Sequence, residues 1–303
     1  MVTFPDQVIL TESAPRDGLQ SLGAFVSTEA KAGLIDDLAA AGVVSFDAVS
    51  FVSPAAVPQM ADGAEVVAGV ARSGIFLNGL VPNLRGLEAA VAADIDGIGL
   101  LTAASDSFSQ ANINATVDQS MERIRSILDR KPSTMSARAY VSTITHCPYE
   151  GPTDPGRVAQ LVEKLLEWGC DEVFLGETIG MGTVTDVERV LERVLVAAPV
   201  DRLGVHFHDT YGQALANLVL SLQAGIFRLD SSAGGLGGCP YAPGAAGNVA
   251  TEDVLWLLDG AGVTHGIDKE AVAQVAFDFC REQHLTHRSK AGRAMLAAAE
   301  RRG

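Results

Sequence analysis

The stretch EVFLGETIGMGTVTDVERVLERVLVAAPVDRLGVHFHDTYGQALANLVLSLQ, residues 172–223, decides how the chain is read. A short strand-like run at 172–175 is followed by a helical pattern at 184–197. A second strand at 203–208 is followed by a second helix at 213–223. Strands alternating with helices in this way run parallel and are joined by crossovers. Working outward, further strands are expected at 8–11, 45–51, 76–81, 97–101, 137–143 and 227–231. Further helices are expected at 28–41, 63–72, 84–93, 115–129, 155–168 and 251–258, with a ninth at 269–282. Eight such units fit an α/β (β/α)8 TIM barrel with an additional C-terminal helix, for which roughly 250 residues is typical. A doubly wound open sheet is the alternative. It usually needs fewer strands, and no G-x-G-x-x-G follows the first strand.

Local signals agree with the barrel. Ser27-Thr28-Glu29 places a capping oxygen and an acidic first-turn residue before an apolar stripe. Gly42 after Ala41 reads as a helix stop. Asp154-Pro155 sets a cap before proline at the first helical position. No composition break divides residues 1–283, which read as one barrel domain, with 284–303 as a basic C-terminal tail. Residues 281–303 carry six basic and two acidic residues. They read as a solvated or disordered segment, or as a basic lid near the active-site face. His265, His284 and His287 read as surface residues.

The 303 residues include 22 Lys and Arg against 37 Asp and Glu, a net charge of −15. Such a chain cannot neutralise a run of phosphates, which argues against nucleic acid. The same charge argues against an anionic membrane surface. With 48% hydrophobic residues and 19% charged ones, disorder is excluded. No apolar run approaches the roughly 18 residues of a membrane span. No secretory signal precedes the first strand, and Asp6 and Glu12 come too early for a transit peptide. Cys147, Cys170, Cys239 and Cys280 are scattered without C-x-x-C, which fits neither a disulfide framework nor a zinc ribbon. The expected setting is a reducing cytoplasm.

In such a barrel the reacting groups come from the C-terminal strand ends and the loops after them. His206 and His208 are two apart on a strand, so both imidazoles face one spot. That is half a metal site, or else a pair of hydrogen-bonded barrel histidines. Asp17 can add a carboxylate and Asn248 an amide oxygen. Two imidazoles with oxygen donors suit a divalent ion such as Mg2+ or Mn2+, with open positions for Lewis-acid work. Arg16 can hold an oxyanion or form a salt bridge in the barrel mouth. Gln20 can orient a substrate group or cap a loop. The glycine-dense run 234–238 lets backbone approach a ligand, or lets a lid move. No Gly-Lys-Ser/Thr follows it, so it is not a P-loop. Cys239 beside it is a candidate proton donor or an ordinary loop thiol. Cys170 and Cys280 read as packing residues.

Several of these segments together resemble the 3-hydroxy-3-methylglutaryl-CoA lyase family. They are Pro15-Arg16-Asp17-Gly18-Leu19-Gln20, Ser50-Phe51-Val52-Ser53-Pro54, Val57-Pro58-Gln59-Met60, Cys147-Pro148-Tyr149-Glu150-Gly151, HFHDTYGQALAN at 206–217 and GGLGGCPYAPGAAGNVATED at 234–253. The resemblance runs from about residue 8 to 280. It implies a metal-dependent carbon–carbon lyase that splits a CoA thioester, 3-hydroxy-3-methylglutaryl-CoA, into acetyl-CoA and acetoacetate by retro-Claisen cleavage. It implies Mg2+ or Mn2+ on Asp17, His206, His208 and Asn248. Catalytic roles are implied for Arg16, Asp17, His206, Gln20 and Cys239, and substrate-binding roles for Glu12, Asp47, Glu177 and Ser50. The expected assembly is a homo-oligomer, a dimer. Alternatives are a lyase for citramalyl-CoA or a longer 3-alkyl analogue, a Claisen-condensing synthase, and a non-catalytic binding barrel.

The chain departs from the family pattern at several places. Asp47 stands where Glu is usual and Glu177 where Asp is usual, which suggests compensation across a shared pocket. Phe174 replaces a small polar residue, and Ser21-Leu22-Gly23 replaces a more polar segment. Thr102-Ala103-Ala104-Ser105-Asp106 also differs. These changes bear on the acyl substrate. The basic tail is a candidate grip for the phosphate end of CoA.

Overall fold

The computed structural model describes residues 3–238 and 247–301. Five strands come first: β1 (Ile9–Glu12), β2 (Ser45–Ser50), β3 (Phe76–Leu80), β4 (Gly97–Ala103) and β5 (Ser136–Ser142). A separate antiparallel hairpin, β6 (His146–Cys147) with β7 (Gly151–Pro152), interrupts the alternation. β8 (Glu172–Glu177), β9 (Leu203–Phe207) and β10 (Arg228–Ser231) complete the set. Apart from the hairpin, the strands close into a parallel barrel in the order β1-β10-β9-β8-β5-β4-β3-β2. Closure is made by β1 on β10, where Ile9 faces Arg228 and Glu12 faces Ser231.

The helices are α1 (Thr28–Ala40), α2 (Gly63–Gly69), α3 (Leu84–Ala92), α4 (Asp106–Ile113), α5 (Val117–Leu128), α6 (Pro155–Glu167), α7 (Val184–Ala197) and α8 (Ala214–Gln223). Three more follow: α9 (Thr251–Ala261), α10 (Lys269–Glu282) and α11 (Lys290–Glu300). α7 shows why they form. Val187, Val190, Leu191 and Val194 recur at the spacing of one helix face, and all four are buried. Ser27 Oγ accepts the Ala30 N–H and Asp154 Oδ1 the Gly156 N–H, so both expected caps are present. Phe46, Ile98, Leu100, Phe174 and Phe207 are fully buried. Each contributes about 1.5–3 kcal/mol by leaving water. Phe174 lies inside the barrel because its neighbour across the β8–β9 pair is Gly204, where a side chain would collide with the Phe174 ring.

Three elements differ from the sequence expectation. α4 is capped by Ser105, whose Oγ accepts the Phe108 N–H, and is closed by Asn114 with φ 48°. The β6–β7 hairpin is the second. The third is the C-terminal segment, whose residues 290–300 form α11, packed on α9 and α10 through a face that includes Gly292 and Met295. His265 and His287 are correspondingly not surface residues, since their side chains are only 7% and 6% exposed. Cys170 and Cys280 are buried, in keeping with packing roles. Among the described residues, no helix is long and apolar enough to cross a membrane.

Candidate active site

After β1 the chain makes a single π-helical turn, Ala14–Gly18, in which the Gly18 N–H reaches back to the Ser13 carbonyl at 3.0 Å. Such wide turns recur at functional sites. This one brings Arg16 and Asp17 to the C-terminal mouth of the barrel. Glu12 fixes it: Oε1 accepts the Ala14 and Ala233 N–H groups, both at 2.8 Å, and Oε2 accepts the Thr251 hydroxyl at 2.7 Å. Glu12 is fully buried and both its oxygens are occupied by protein. These bonds tie Glu12 to the turn and to the segment that follows β10.

Burial pushes the Glu12 carboxyl up to about 7, against the three donors that face it. Its folded pKa exceeds the ordinary carboxylate value, so the native state binds the extra proton. Stability from this group is thus greatest below about pH 4.5 and is lost as pH rises through about 7, by an amount on the order of 3 kcal/mol. In Glu12→Gln, which cannot titrate, this component of the pH dependence should vanish. Urea unfolding at pH 5 and pH 8 compares the two chains, and parallel pH slopes would contradict this role.

Arg16 donates from Nε to Asp47 Oδ2 at 2.7 Å, from Nη2 to the same oxygen, and from Nη1 to Asp17 Oδ1 at 2.7 Å. Burial opposes its charge, but the Asp47 and Asp17 carboxylates outweigh burial and keep it a cation. Asp17 Oδ1 also accepts from Gln20 Nε2, and Asp17 Oδ2 from Asn248 Nδ2, both at 2.8 Å. Gln20 thus orients Asp17. Burial works against ionisation of Asp17, but Arg16, the two imidazoles and Asn248 hold its pKa at about 2.

His206 Nε2 and His208 Nε2 lie 3.9 and 4.0 Å from Asp17 Oδ2. Behind them, His206 Nδ1 meets Asp230 Oδ2 at 3.2 Å, the carboxylate–histidine contact that fixes ring orientation in metal sites. Burial and the neighbouring His206 lower the His208 pKa to about 4, which leaves a neutral ring with a free lone pair. One ligand atom each from Asp17, His206 and His208 falls within 4.8 Å of the others. Asn248 Oδ1 is buried and, among the described residues, has no hydrogen-bond partner. This donor set and this orphaned oxygen fit a divalent cation.

The site opens into a cleft of about 550 Å³. Its polar end is Arg16, Asp17, His206 and His208, and its walls include Leu22, Phe25, Val57 and Phe108. Tyr140 also lines it and was not anticipated. Its hydroxyl is buried and, among the described residues, unpartnered, and its ring stands edge-on to His206 with centroids 6.0 Å apart. Burial keeps that hydroxyl protonated. The inward parity of Arg138, Tyr140 and Ser142 on β5 was the available signal.

The remaining expected residues have the following surroundings. Ser50 is buried, and its Oγ has no partner among the described residues. Glu177 Oε1 accepts from Thr145 Oγ1 at 2.9 Å and from the Gly182 N–H at 3.1 Å. Its Oε2 has no hydrogen-bond partner among the described residues. Phe174 is fully buried and stacks on the Arg138 guanidinium at 4.1 Å, so it floors the barrel rather than shaping the cleft. Cys239 lies outside the described residues. Asp47 is bound by Arg16 and Glu177 by Thr145 and Gly182, so the two carboxyls share no hydrogen-bond partner among the described residues. In a cycle of Asp47→Glu and Glu177→Asp, the losses in kcat/KM should add within about 0.5 kcal/mol. A coupling above about 1 kcal/mol would support the compensation.

Fold and site together define a (β/α)8 barrel with a candidate divalent-metal centre and a buried arginine at its C-terminal mouth. The family model described as HMGL-like matches residues 7–278, and the chain belongs to that family. A Pseudomonas aeruginosa protein named 3-hydroxy-3-isohexenylglutaryl-CoA/hydroxy-methylglutaryl-CoA lyase is 45% identical over 300 residues, covering 98% of this chain and all of the relative. The mitochondrial hydroxymethylglutaryl-CoA lyase of Bos taurus is 45% identical over 294 residues, covering 96% of this chain and 90% of the relative. The crystal structure of hydroxymethylglutaryl-CoA lyase from Pseudomonas aeruginosa superposes with a TM-score of 0.94 at 45% identity, covering 97% of this chain and 99% of that one.

Proposed function

We propose that this chain is a divalent-metal-dependent lyase that cleaves 3-hydroxy-3-methylglutaryl-CoA to acetyl-CoA and acetoacetate. The observation that carries the reading is the Asp17, His206 and His208 cluster beside Arg16 at the polar end of the cleft. Mg2+ or Mn2+ held by these residues with Asn248 would supply Lewis acidity to the tertiary hydroxyl of the substrate. Three of the five Arg16 N–H donors go to Asp47 and Asp17, which leaves two for a substrate oxygen. Aimed at the thioester carbonyl, they stabilise the enolate that forms as the C2–C3 bond breaks. The electrons of the hydroxyl O–H bond become the ketone carbonyl, and the released proton passes to a carboxylate or imidazole at the site. Tyr140 offers a neutral O–H donor to a second substrate oxygen. Cys239 is the group we assign to protonate the enolate carbon.

A homodimer in the cytoplasm is the setting we propose. The test of the activity is a cleavage assay on a panel of 3-hydroxyacyl-CoA thioesters, with and without Mg2+ or Mn2+. The panel should include the 3-methyl and 3-isohexenyl glutaryl esters and citramalyl-CoA. Metal-dependent release of acetyl-CoA from the 3-methyl ester is the expected result. Absence of metal-dependent cleavage of every thioester would sink the lyase reading.

A further inference from the structure

Between α10 and α11 the chain runs back over the start of the glycine-rich loop. His287 Nε2 meets Glu252 Oε1 at 2.8 Å, and the fully buried Glu252 accepts the Gly234 N–H at 3.1 and 3.0 Å. The Arg288 N–H donates to the Gly234 carbonyl at 2.7 Å, and Arg288 Nη1 to the Gly237 carbonyl at 3.1 Å. Ser289 Oγ and the Ala291 N–H both bind Asp253 Oδ1 at the start of α9, at 2.8 and 2.6 Å. The fit is close. A Cβ at Gly234 would lie 3.3 Å from His287 Cδ2, and one at Gly235 would lie 3.2 Å from Arg288 Cβ.

Gly234, Gly235 and Gly237 have φ of 65°, 63° and 132°, conformations that side chains rarely adopt. Glycine backbone loses more freedom on ordering than any other, so its geometry must be held from outside. What it holds in turn is the metal site. The Leu236 carbonyl accepts from Asn248 Nδ2 at 3.2 Å, and that same amide donates to Asp17 Oδ2 at 2.8 Å. A continuous path of bonds therefore runs from the C-terminal segment through the glycine backbone to Asn248 and Asp17.

We propose that residues 287–291 are a positioning strap for the metal centre. They fix the backbone of residues 234–237, and through it the Asn248 side chain, without touching substrate. This rests on the metal-site reading above. It also gives Arg288 a role other than gripping the phosphates of CoA, since its guanidinium binds a backbone carbonyl.

The test uses the full chain with Arg288→Ala, His287→Ala and His287→Gln. Mn2+ affinity is measured by electron paramagnetic resonance without substrate, KM and kcat at saturating metal, and folding by thermal melts. Arg288 is exposed, so its truncation should leave the fold intact. Arg288→Ala and His287→Ala should each weaken Mn2+ binding about tenfold with KM changed less than twofold. His287→Gln, which keeps an N–H donor for Glu252, should bind Mn2+ like the unaltered chain. A raised KM with unchanged Mn2+ affinity would overturn the strap in favour of a phosphate grip. Unchanged Mn2+ affinity with only a lowered Tm, or equal losses for His287→Ala and His287→Gln, would also overturn it. Failure of the unaltered chain to bind Mn2+ would overturn the metal-site reading along with the strap.

Discussion

Replacing His206 with Ala is expected to cut thioester cleavage by at least about a hundredfold and to remove Mn2+ binding, with the barrel still folded. Loss of a group that merely orients a metal ligand already costs about 10–100-fold, and His206 is placed to be a ligand itself. Its Nδ1 is committed to Asp230, so its Nε2 is the atom turned to Asp17. The fold should survive because the change is local. Asp230 keeps the Arg138 guanidinium, whose Nη1 lies 3.7 Å from its Oδ1. The lost hydrogen bond costs about 1–3 kcal/mol, against a typical domain stability of about 5–15 kcal/mol. Circular dichroism melts and a Mn2+ titration of the same sample decide the matter. A folded His206→Ala chain that binds Mn2+ normally would exclude His206 from the metal site.

How much of this was legible in the sequence follows from which forces act locally. The barrel strands and their helices were legible because each is set by a short run, a cap and a stop within one stretch of chain. The pairing of His206 with His208 was legible for the same reason, since strand parity alone puts both rings on one face. Bringing Asp17 to them depends on β1 closing against β10, whose Asp230 pairs with His206. The sequence supplied that only through resemblance. Glu12 was marked as a site residue only through the resemblance, because its hydrogen bonds to Ala233 and Thr251 reach more than two hundred residues along the chain. Tyr140 shares its inward parity with Arg138 and Ser142, and nothing local says that Tyr140 and Ser142 meet the cleft while Arg138 does not. The Ala-rich, basic segment after residue 283 reads as a tail. Its order depends on partners such as Glu252 and Asp253, more than thirty residues away. The net charge of −15 likewise says little about the ligand, because the positive groups that would matter are Arg16 and the cation proposed for the site.

Arg16→Gln should lower kcat by about 10²–10³, the usual loss when a donor aimed at a developing oxyanion is removed. Arg16→Lys should recover little of it. An ammonium group cannot satisfy Asp47 and Asp17 together and still present two further donors in one plane. The glutamine variant should also be destabilised, by about 3–5 kcal/mol, because it leaves Asp47 buried without its countercharge. That second effect carries its own signature. Burial already raises the Asp47 pKa, and without Arg16 nothing of comparable strength opposes it. Its folded pKa, already above the unfolded value, then rises further, so the variant should lose more stability with rising pH than the unaltered chain does. Urea unfolding of both chains at pH 5 and pH 8 reads this directly, while kcat at saturating thioester reads the catalytic loss. A stability deficit that is the same at both pH values would mean that Asp47 does not depend on Arg16. A kcat within tenfold of the unaltered chain would remove Arg16 from the stabilisation of the enolate.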